Sequence, residues 1–281
     1  MAPLTRPVTV LVDSRDRNYQ DHPHPHAYTI RLPHTLHGVT HARLVSCELP
    51  TSFYVFKQEH GTTGLSLTID GVTKQVFIPD GNYSFEFMSE TLKSVCQSAF
   101  PGYAFQVSFD SVSHKCRIQV QINNAPVSWS VDTRSGARLI TAKPINMDKE
   151  TGWGLAYFLG FERDQLIEAS NGIVEGSRPA VMFPERYILI DIRGLGRTQE
   201  AGLFGEREAR HTFAKIPFNV GSSFTSVFFD KALTTNSISP PILNLRELSI
   251  EFRFHDRTPV DFHSFEHSLT LEFMVSEIQA H

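Results

Sequence analysis

The chain has 281 residues, of which 20% are charged and 11% aromatic, with a formal net charge of −4 and a pI near 6.3. The length favours one large all-β domain or a smaller core that carries an insert. The balanced charge provides no basic field for a phosphate backbone, so we expect no nucleic acid partner. No apolar run approaches the roughly 20 residues of a membrane span, and the amino terminus lacks the apolar core of a signal peptide; we expect a soluble, unsecreted protein.

Alternating apolar and polar residues predict eight strands in the outer parts of the chain, because a half-buried strand exposes every second side chain. Three of these strands precede the middle of the chain and five follow it: 8–13, 28–32, 39–50, 188–192, 213–220, 223–229, 248–255 and 269–275. Between strands in the second half, residues that favour chain reversals recur: Pro184, Gly194, Gly196, Pro240, Pro241 and Pro259. These residues predict turns.

The middle of the chain has a different pattern. Residues 65–78 predict a hairpin with Asp70-Gly71 at the turn, and 103–122 predict a second hairpin. Between them, 78–100 holds one helix with Ser84 as its N-cap. The predicted apolar stripe of that helix contains Phe87, Leu92, Val95 and Cys96. Residues 123–183 are mixed and Gly-rich, and their strongly apolar piece is WGLAYFLGF.

Together these elements predict an all-β fold: a single jelly-roll β-sandwich with a small α+β insertion. The eight outer strands match the jelly-roll strands B to I, and the β-β-α-β-β order of the insertion falls between strands D and E. We predict a jelly-roll domain at 1–59 plus 176–281 and an inserted cap domain at 60–175.

The stretch HPHPH offers three histidines, His22, His24 and His26, as candidate metal ligands. Alternating prolines favour a polyproline conformation, which places His22 and His26 about 12 Å apart. This distance is too long for one ion, so a solvated corner between two strands is favoured. The preceding SRDRN stretch predicts exposed charge pairs that contribute little to stability.

A second candidate site lies in the predicted loop between the last two strands. It gathers His255, Asp256, Asp261, His263, Glu266 and His267. The loop position favours packing on a sandwich end over hydrolysis or metal binding. Gly194-Leu195-Gly196 lacks the third glycine of a dinucleotide site and predicts a turn. The scattered Cys47, Cys96 and Cys116 predict buried thiols. We therefore expect no enzyme activity, no catalytic or metal-binding residues and no cofactor.

The 22 phenylalanines lie mostly in strand-like runs. We interpret FLGF (158–161) and SFTSVFF (223–229) as core, with interface aromatics as the alternative. A large β-sandwich without a reactive site is typical of an interaction or shell-building subunit. A carbohydrate-binding sandwich would share the fold and stays an alternative.

Several blocks resemble minor structural proteins of large icosahedral DNA viruses, particularly those of chlorella viruses and their relatives. The blocks are DSRDRN (13–18), P-x-x-Y-x-I-x-L (25–32), LVSCELPTSFY (44–54), IPDGNYS (78–84), LGF (159–161), FAKIPF (213–218) and VDFHSFEHSLTLEF (260–273). They span most of the chain.

The resemblance implies a capsid protein of the virion, assembled in the host cytoplasm. A single jelly roll with one insert favours the penton, a homopentamer at the vertex that contacts major-capsid trimers and other minor capsid proteins. A cement protein beneath the shell is the alternative. Since a closed ring uses two side surfaces of each copy, we expect assembly through the jelly-roll flanks, with Phe218 or Phe229 at the interface if exposed.

Overall fold

The computed structural model describes residues 5–134, 154–183, 186–195, 198–199, 211–217, 225–230, 235–255 and 258–276. The helices in these ranges are α1 (Phe85–Ala99) and α2 (Gly154–Phe158), with 3-10 turns at Ser14–Asp16 and Gln58–His60. The strands are β1 (Thr5–Asp13), β2 (Ala27–Pro50), β3 (Gly64–Ile69), β4 (Val72–Phe77), β5 (Ala104–Phe109), β6 (Cys116–Ile122), β7 (Ala125–Pro126), β8 (Trp129–Asp132), β9 (Leu166–Glu168), β10 (Ile173–Glu175), β11 (Tyr187–Ile192), β12 (Thr198–Gln199), β13 (His211–Thr212), β14 (Ala214–Pro217), β15 (Thr225–Phe229), β16 (Asn236–Arg253) and β17 (Ser268–Ser276). None of the described helices has the length and apolar character of a membrane span.

Contacts divide the chain into two compact units. We call residues 1–53 and 185–281 the framework unit and residues 54–184 the insert unit. The range predicted from the sequence for the insert, 60–175, lies inside the observed insert unit. That this segment is a separate folding domain stays a prediction.

The framework unit is a jelly roll made of one hydrogen-bonded network. The strand order is β1, β17, β2, β16, β11, β14, and β15 also pairs with β2. The end of β2 lies between β17 and β15, whereas its beginning pairs with β16. The strands therefore form the groups β1-β17-β2-β15 and β2-β16-β11-β14, the B-I-D-G and C-H-E-F sheets of a jelly roll. The predicted fold class is confirmed.

One boundary prediction is wrong: 28–32 and 39–50 are parts of the single strand β2. The ladder between β2 and β16 skips from Arg31 to Leu36, and Pro33 lies in this irregular stretch. Proline has no N–H to donate to a ladder, and a register shift accommodates it without ending the strand. The chain therefore continues as a strand where the sequence predicted a loop.

A second irregularity corrects another turn prediction. Pro240 and Pro241 lie inside β16, where the register with β2 shifts between Ser237 and Ile242. The two prolines therefore mark a bulge within a long strand and not a turn between two strands.

Strand β17 shows why the alternating pattern predicts the framework well. Its side chains alternate between buried and half-buried along the whole strand. The buried ones are Leu269, Leu271, Phe273 and Val275. Each such burial contributes about 1.5–3 kcal/mol relative to an exposed side chain.

The insert unit begins with the predicted β-β-α-β-β order. Asp70 and Gly71 have φ of 47° and 79°, as a type I′ turn between β3 and β4 requires. Ser84 caps α1, because its Oγ accepts a hydrogen bond from the Phe87 N–H at 3.2 Å. The two predicted hairpins and the N-cap are confirmed.

The buried face of α1 differs from the predicted stripe. Met88, Leu92 and Cys96 are fully buried, whereas Phe87 is 63% exposed. Residues four apart share one face of a helix, so the buried spacing is 88, 92, 96. Assigning Phe87 to the apolar stripe was therefore wrong.

The segment 123–183 completes both sheets of the insert unit. One sheet has the order β4-β3-β8-β9, and the other joins β10, β6 and β5, with β7 also paired to β6. Strands β8, β9 and β10 all come from the segment that the sequence left unassigned. Their short lengths, three or four residues each, explain why no alternation was visible.

Candidate functional site

The exposed face of the β1-β17-β2-β15 group carries a row of side chains that crosses four strands. Leu11 is opposite Thr270, Thr270 is opposite Ser46, and Ser46 is opposite Phe229. Leu11 is 80% exposed and Phe229 is 62% exposed, whereas Thr270 and Ser46 are half-buried. Because neighbouring strands lie about 4.8 Å apart, the two apolar side chains are about 14 Å apart.

The next row of the same face consists of Asp13, Ser268, Glu48 and Val227. Val227 is half exposed and lies beside Phe229 on the same side of β15. On the other side of the first row, Arg43 donates to Glu272 at 2.7 Å, which neutralises both charges. We call the following set the outer face: Leu11, Ser46, Glu48, Val227, Phe229 and Thr270. Its exposed apolar side chains make it a surface suited to protein contact.

The outer face corrects the interpretation of SFTSVFF as core. In β15, Ser226 is buried and Phe228 half-buried, but Val227 and Phe229 point to solvent. Strand β15 pairs with β2 alone among the described strands, so it lies at a sheet edge. Phe218 lies outside the described residues.

The FLGF stretch is core, as predicted. Phe158, Leu159 and Phe161 are fully buried in the insert unit. The Phe56 and Phe158 rings meet edge to face, with their centroids 5.6 Å apart. Their exclusion from solvent removes FLGF as a candidate surface.

A buried arginine organises one end of the framework unit. The Arg17 side chain donates hydrogen bonds to the Ser14, His22 and Pro23 carbonyls and to the Glu266 carboxylate. Only 2% of the Arg17 side chain is exposed. The prediction that the SRDRN charges pair on an exposed corner is wrong for Arg17, because the chain from 14 to 23 folds around its guanidinium.

The structure brings Glu266 and His267 of the predicted cluster 255–269 into this network. The Glu266 carboxylate also accepts from Ser14 Oγ at 2.6 Å and from Tyr19 Oη at 3.2 Å. Burial raises the pKa of Glu266, but the bonds from Arg17, Ser14 and Tyr19 and the charge of Arg17 outweigh it and lower the pKa overall. The carboxylate is therefore a fixed acceptor and not a proton donor near neutral pH.

His267 is the buried histidine of the same cluster. Its Nε2 lies 3.1 Å from Tyr28 Oη, and its ring packs against Phe252 and Phe262. Burial lowers the pKa of His267 to about 3, although the charge of Glu266 acts in the opposite direction. A histidine that stays neutral inside an aromatic core supports packing.

The remaining members of the predicted cluster lie elsewhere. His255 Nδ1 is 2.9 Å from Tyr187 Oη, and His263 Nδ1 is 2.7 Å from the Ser52 carbonyl oxygen. Asp261 Oδ1 accepts from the His263 N–H at 2.9 Å. Asp256 lies outside the described residues.

In the HPHPH stretch, the His24 and His26 rings are stacked, with centroids 5.4 Å apart. His26 is partly buried, and burial together with the neighbouring His24 lowers its pKa. Among the described residues, no three His, Cys, Asp or Glu side chains are arranged to hold a metal ion. The absence of metal binding stays a prediction.

The cysteines and Gly194 follow their predictions. Cys47, Cys96 and Cys116 are buried free thiols, and burial raises the pKa of each to about 12. Gly194 has a φ of 79° in a turn after β11, and Gly196 lies outside the described residues. These thiols are not nucleophiles at neutral pH.

Sequence reasoning missed the partnership of Ser14 and Arg17 with Glu266. The residues lie about 250 positions apart, at separations of 252 and 249. A local pattern carries no signal for such a contact. The one available sign was an arginine four residues after an alternating strand, which also occurs in solvated corners.

Comparisons with family models and with curated protein sequences each gave no match. Among solved structures, the crystal structure of the mavirus penton protein resembles the chain with a TM-score of 0.53 at 12% identity, covering 98% of this chain and 100% of that one. A chain of the cryo-EM structure of the Sputnik virophage has a TM-score of 0.48 at 12% identity, with coverages of 97% and 98%. At this identity the mavirus match shows the fold: the chain shares the fold of a viral penton protein.

Proposed function

We propose that the protein is a structural subunit of an icosahedral virus capsid, located in the virion, and that five copies close the vertex. The supporting observation is the fold shared with the mavirus penton protein over 98% of the chain. In this role the protein is not an enzyme. It contacts itself, major-capsid trimers and other minor capsid proteins, and it assembles in the host cytoplasm. The kinship to chlorella-virus proteins is part of the same proposal.

The outer face supports a ring of copies. A closed ring uses head-to-tail contacts, in which two different side surfaces of each copy meet. Leu11 lies on the edge strand β1, and Phe229 lies on the edge strand β15. Exposed apolar side chains at both edges lose contact with water when a neighbouring copy covers them.

A matched pair of variants tests the interface. Phe229→Asp changes a side chain that is 62% exposed on the outer face, and Phe87→Asp changes one that is 63% exposed in the insert unit. A charge at a buried interface position costs about 2–4 kcal/mol, roughly thirtyfold or more in affinity. Native mass spectrometry should show pentamers for wild type and Phe87→Asp and monomers for Phe229→Asp. Equal assembly of both variants would contradict the interface.

Electron microscopy of particles tests the vertex position. Density for this chain at the five-fold vertices supports the penton. Density in a lattice beneath the trimers would reject it in favour of a cement protein. Binding to a glycan array without any self-association would instead favour a carbohydrate-binding sandwich.

A further inference from the structure

The outermost strands of the β1-β17-β2-β15 group present unpaired backbone groups. On β1, the Ser14 N–H donates to the His267 carbonyl at 2.9 Å, in line with the register between β1 and β17. In an antiparallel ladder, residues that bond to the partner strand alternate with residues whose N–H and C=O point away from it. The even-numbered residues of β1 therefore bond to β17, and the backbone groups of Thr9, Leu11 and Asp13 point outward.

Pro7 agrees with this alternation and limits the open part of the strand. It is an odd-numbered residue of β1, so the N–H that proline lacks would have pointed away from β17. The run of outward N–H groups therefore begins after Pro7, and it ends where the 3-10 turn begins at Ser14. We call the five residues between these limits, Thr9–Asp13, the β1 edge.

Strand β15, at the opposite side of the same sheet, has the same pattern. The Asp230 N–H donates to the Val45 carbonyl at 2.9 Å, which continues the register between β15 and β2. The even-numbered residues of β15 therefore bond to β2, and the backbone groups of Thr225, Val227 and Phe229 point outward. Within the part of the chain that the structure describes, no strand pairs with the outer side of β1 or of β15.

The β1 edge and β15 lack the features by which proteins keep an open sheet edge from pairing, such as bulges, lysines and exposed charge. Both ladders run without a register shift. The one charged residue of the two segments, Asp13, is paired with Arg15. The residues with outward backbone groups also carry exposed apolar side chains: Leu11, Val227 and Phe229 are 80%, 50% and 62% exposed. Free backbone donors and acceptors in this pattern fit an extended polypeptide.

The strand directions show which polypeptide fits. Each strand of the group is antiparallel to its neighbour, so β1 and β15 run in opposite directions. If a second copy extends the sheet, its β15 lies antiparallel beside the β1 edge of the first copy, and the outer faces of the two copies are continuous. The lengths also match, because β15 has five residues, as the β1 edge does.

We propose that β15 of a second copy pairs with the β1 edge, so that neighbouring copies share one sheet. Full overlap of the two segments places Thr9 opposite Phe229 and Leu11 opposite Val227. Each outward N–H of one segment then meets an outward carbonyl of the other. The proposal rests on the ring of copies in the proposed function and adds the bonds that join them. Repeated around a closed ring, it leaves no open edge in this sheet.

Cysteine variants test the partner and the register. Opposite residues on paired strands have Cα atoms about 5.5 Å apart, a distance that a disulfide can bridge. Under mild oxidation, co-expressed Leu11→Cys and Val227→Cys chains should form covalent dimers that neither variant forms alone. Wild type is the control, because Cys47, Cys96 and Cys116 are buried. Dimers of Leu11→Cys alone would show two-fold pairing of β1 with β1 and would overturn the proposal.

Two proline variants separate backbone pairing from side-chain contact. Thr9→Pro removes one outward N–H of the β1 edge but keeps the bonds to β17 and the exposed apolar side chains. It should weaken self-association about tenfold or more, measured by sedimentation velocity. Thr5→Pro removes an outward N–H beyond the overlap and should assemble as wild type. Both variants should unfold in urea as wild type does, which excludes loss of the framework fold as the cause.

The outcomes distinguish this pairing from the capsid role. If Thr9→Pro assembles as well as wild type, or if wild type does not self-associate, the pairing is wrong, and electron microscopy of particles still decides the vertex position. The double variant Leu11→Cys/Val227→Cys should form a covalent ladder that ends at five copies. A ladder that ends at another number would support the pairing and contradict five-fold closure.

Discussion

The framework and insert units differ in how far apart in the sequence their paired strands lie. In the framework unit, paired strands come from opposite ends of the chain, as in Leu11 opposite Thr270. In the insert unit, the first pairs are hairpins, such as Thr68 and Thr73, whose hydroxyls lie 2.8 Å apart. Local pairs form at a low loop-closure cost, whereas a pair such as Leu11 and Thr270 forms only when distant parts of the chain come together. The insert hairpins can therefore be predicted from neighbouring residues, whereas the framework pairings cannot.

The buried polar groups of the two units also differ. Among the described residues, the buried arginines and the buried histidine, Arg17, Arg253 and His267, all lie in the framework unit. Its second buried arginine, Arg253, donates to Asp191 and Thr212. The buried polar groups of the insert unit are serines and threonines. We therefore expect the framework unit to be the more sensitive of the two to pH and to charge removal.

The largest expected effect is a cavity in the framework unit. Phe273→Ala removes a fully buried ring from β17 and should lower the free energy of unfolding by about 3–5 kcal/mol. Met274→Ala, on the half-buried side of the same strand, should cost about 1 kcal/mol or less. Hydrogen exchange by mass spectrometry should show faster exchange in framework peptides alone. Equal loss of protection in the insert unit would mean that the units unfold together.

The corresponding change in the insert unit is at Gly160. Its φ is 88°, and an added Cβ would lie 2.2 Å from the Arg178 carbonyl oxygen. Gly160→Ala should therefore cost about 3 kcal/mol and accelerate exchange only in insert peptides. Gly71→Ala has a similar φ of 79° but meets no atom within 4 Å, and should cost about 1 kcal/mol. Similar costs for the two variants would show that Gly160 is required for its positive φ and not for the close approach of the Arg178 carbonyl.

Removing one charge should distinguish the buried network from a surface ion pair. Glu266→Gln leaves the charge of Arg17 buried without its counter-charge and should cost about 2 kcal/mol. Glu272→Gln breaks the more exposed pair with Arg43 and should cost under about 1 kcal/mol. Urea denaturation followed by circular dichroism measures both. If Glu272→Gln proves the costlier change, the assignment of the network at Arg17 as a structural anchor is wrong.

The last expected effect develops gradually over a pH range, as a slope of stability with pH. Because folding lowers the pKa of His267 to about 3, the unfolded chain binds a proton below about pH 6.5 that the folded chain does not. The stabilising contribution of neutral His267 is fully present above that pH. The free energy of unfolding should then fall by roughly 1.4 kcal/mol per pH unit as the pH drops toward 4.5. His26, whose pKa is also lowered, adds to the slope in the same direction.

His267→Gln removes the titrating ring and should flatten most of this slope, measured as urea unfolding of the framework unit at pH 6.5, 5.5 and 4.5. Carboxylates stay ionised in both the folded and the unfolded chain between pH 6.5 and 5.5, so they contribute little there; nearer pH 4.5 unfolded glutamates are partly protonated and add to the slope. An unchanged slope in His267→Gln would show that other groups cause the pH dependence.

Much of the fold could be predicted from the sequence, and the reasons are visible in particular elements. Strand β17 and the Asp70-Gly71 hairpin follow local rules, alternation and a positive φ. The continuity of β2 through Pro33 could not be predicted, because a bulge depends on the partner strand. The exposure of Phe229 was missed for the same reason: an edge strand and a central strand have the same alternation.

The sequence by itself determined the fold class, the two hairpins of the insert unit and the helix cap, because these follow from periods and backbone preferences over a few residues. Only the tertiary structure decided which side of β15 faces solvent and that Arg17 is buried against Glu266. The physical reason is the same in both cases. Burial depends on what lies opposite a residue, and in a jelly roll that neighbour comes from a segment hundreds of positions away.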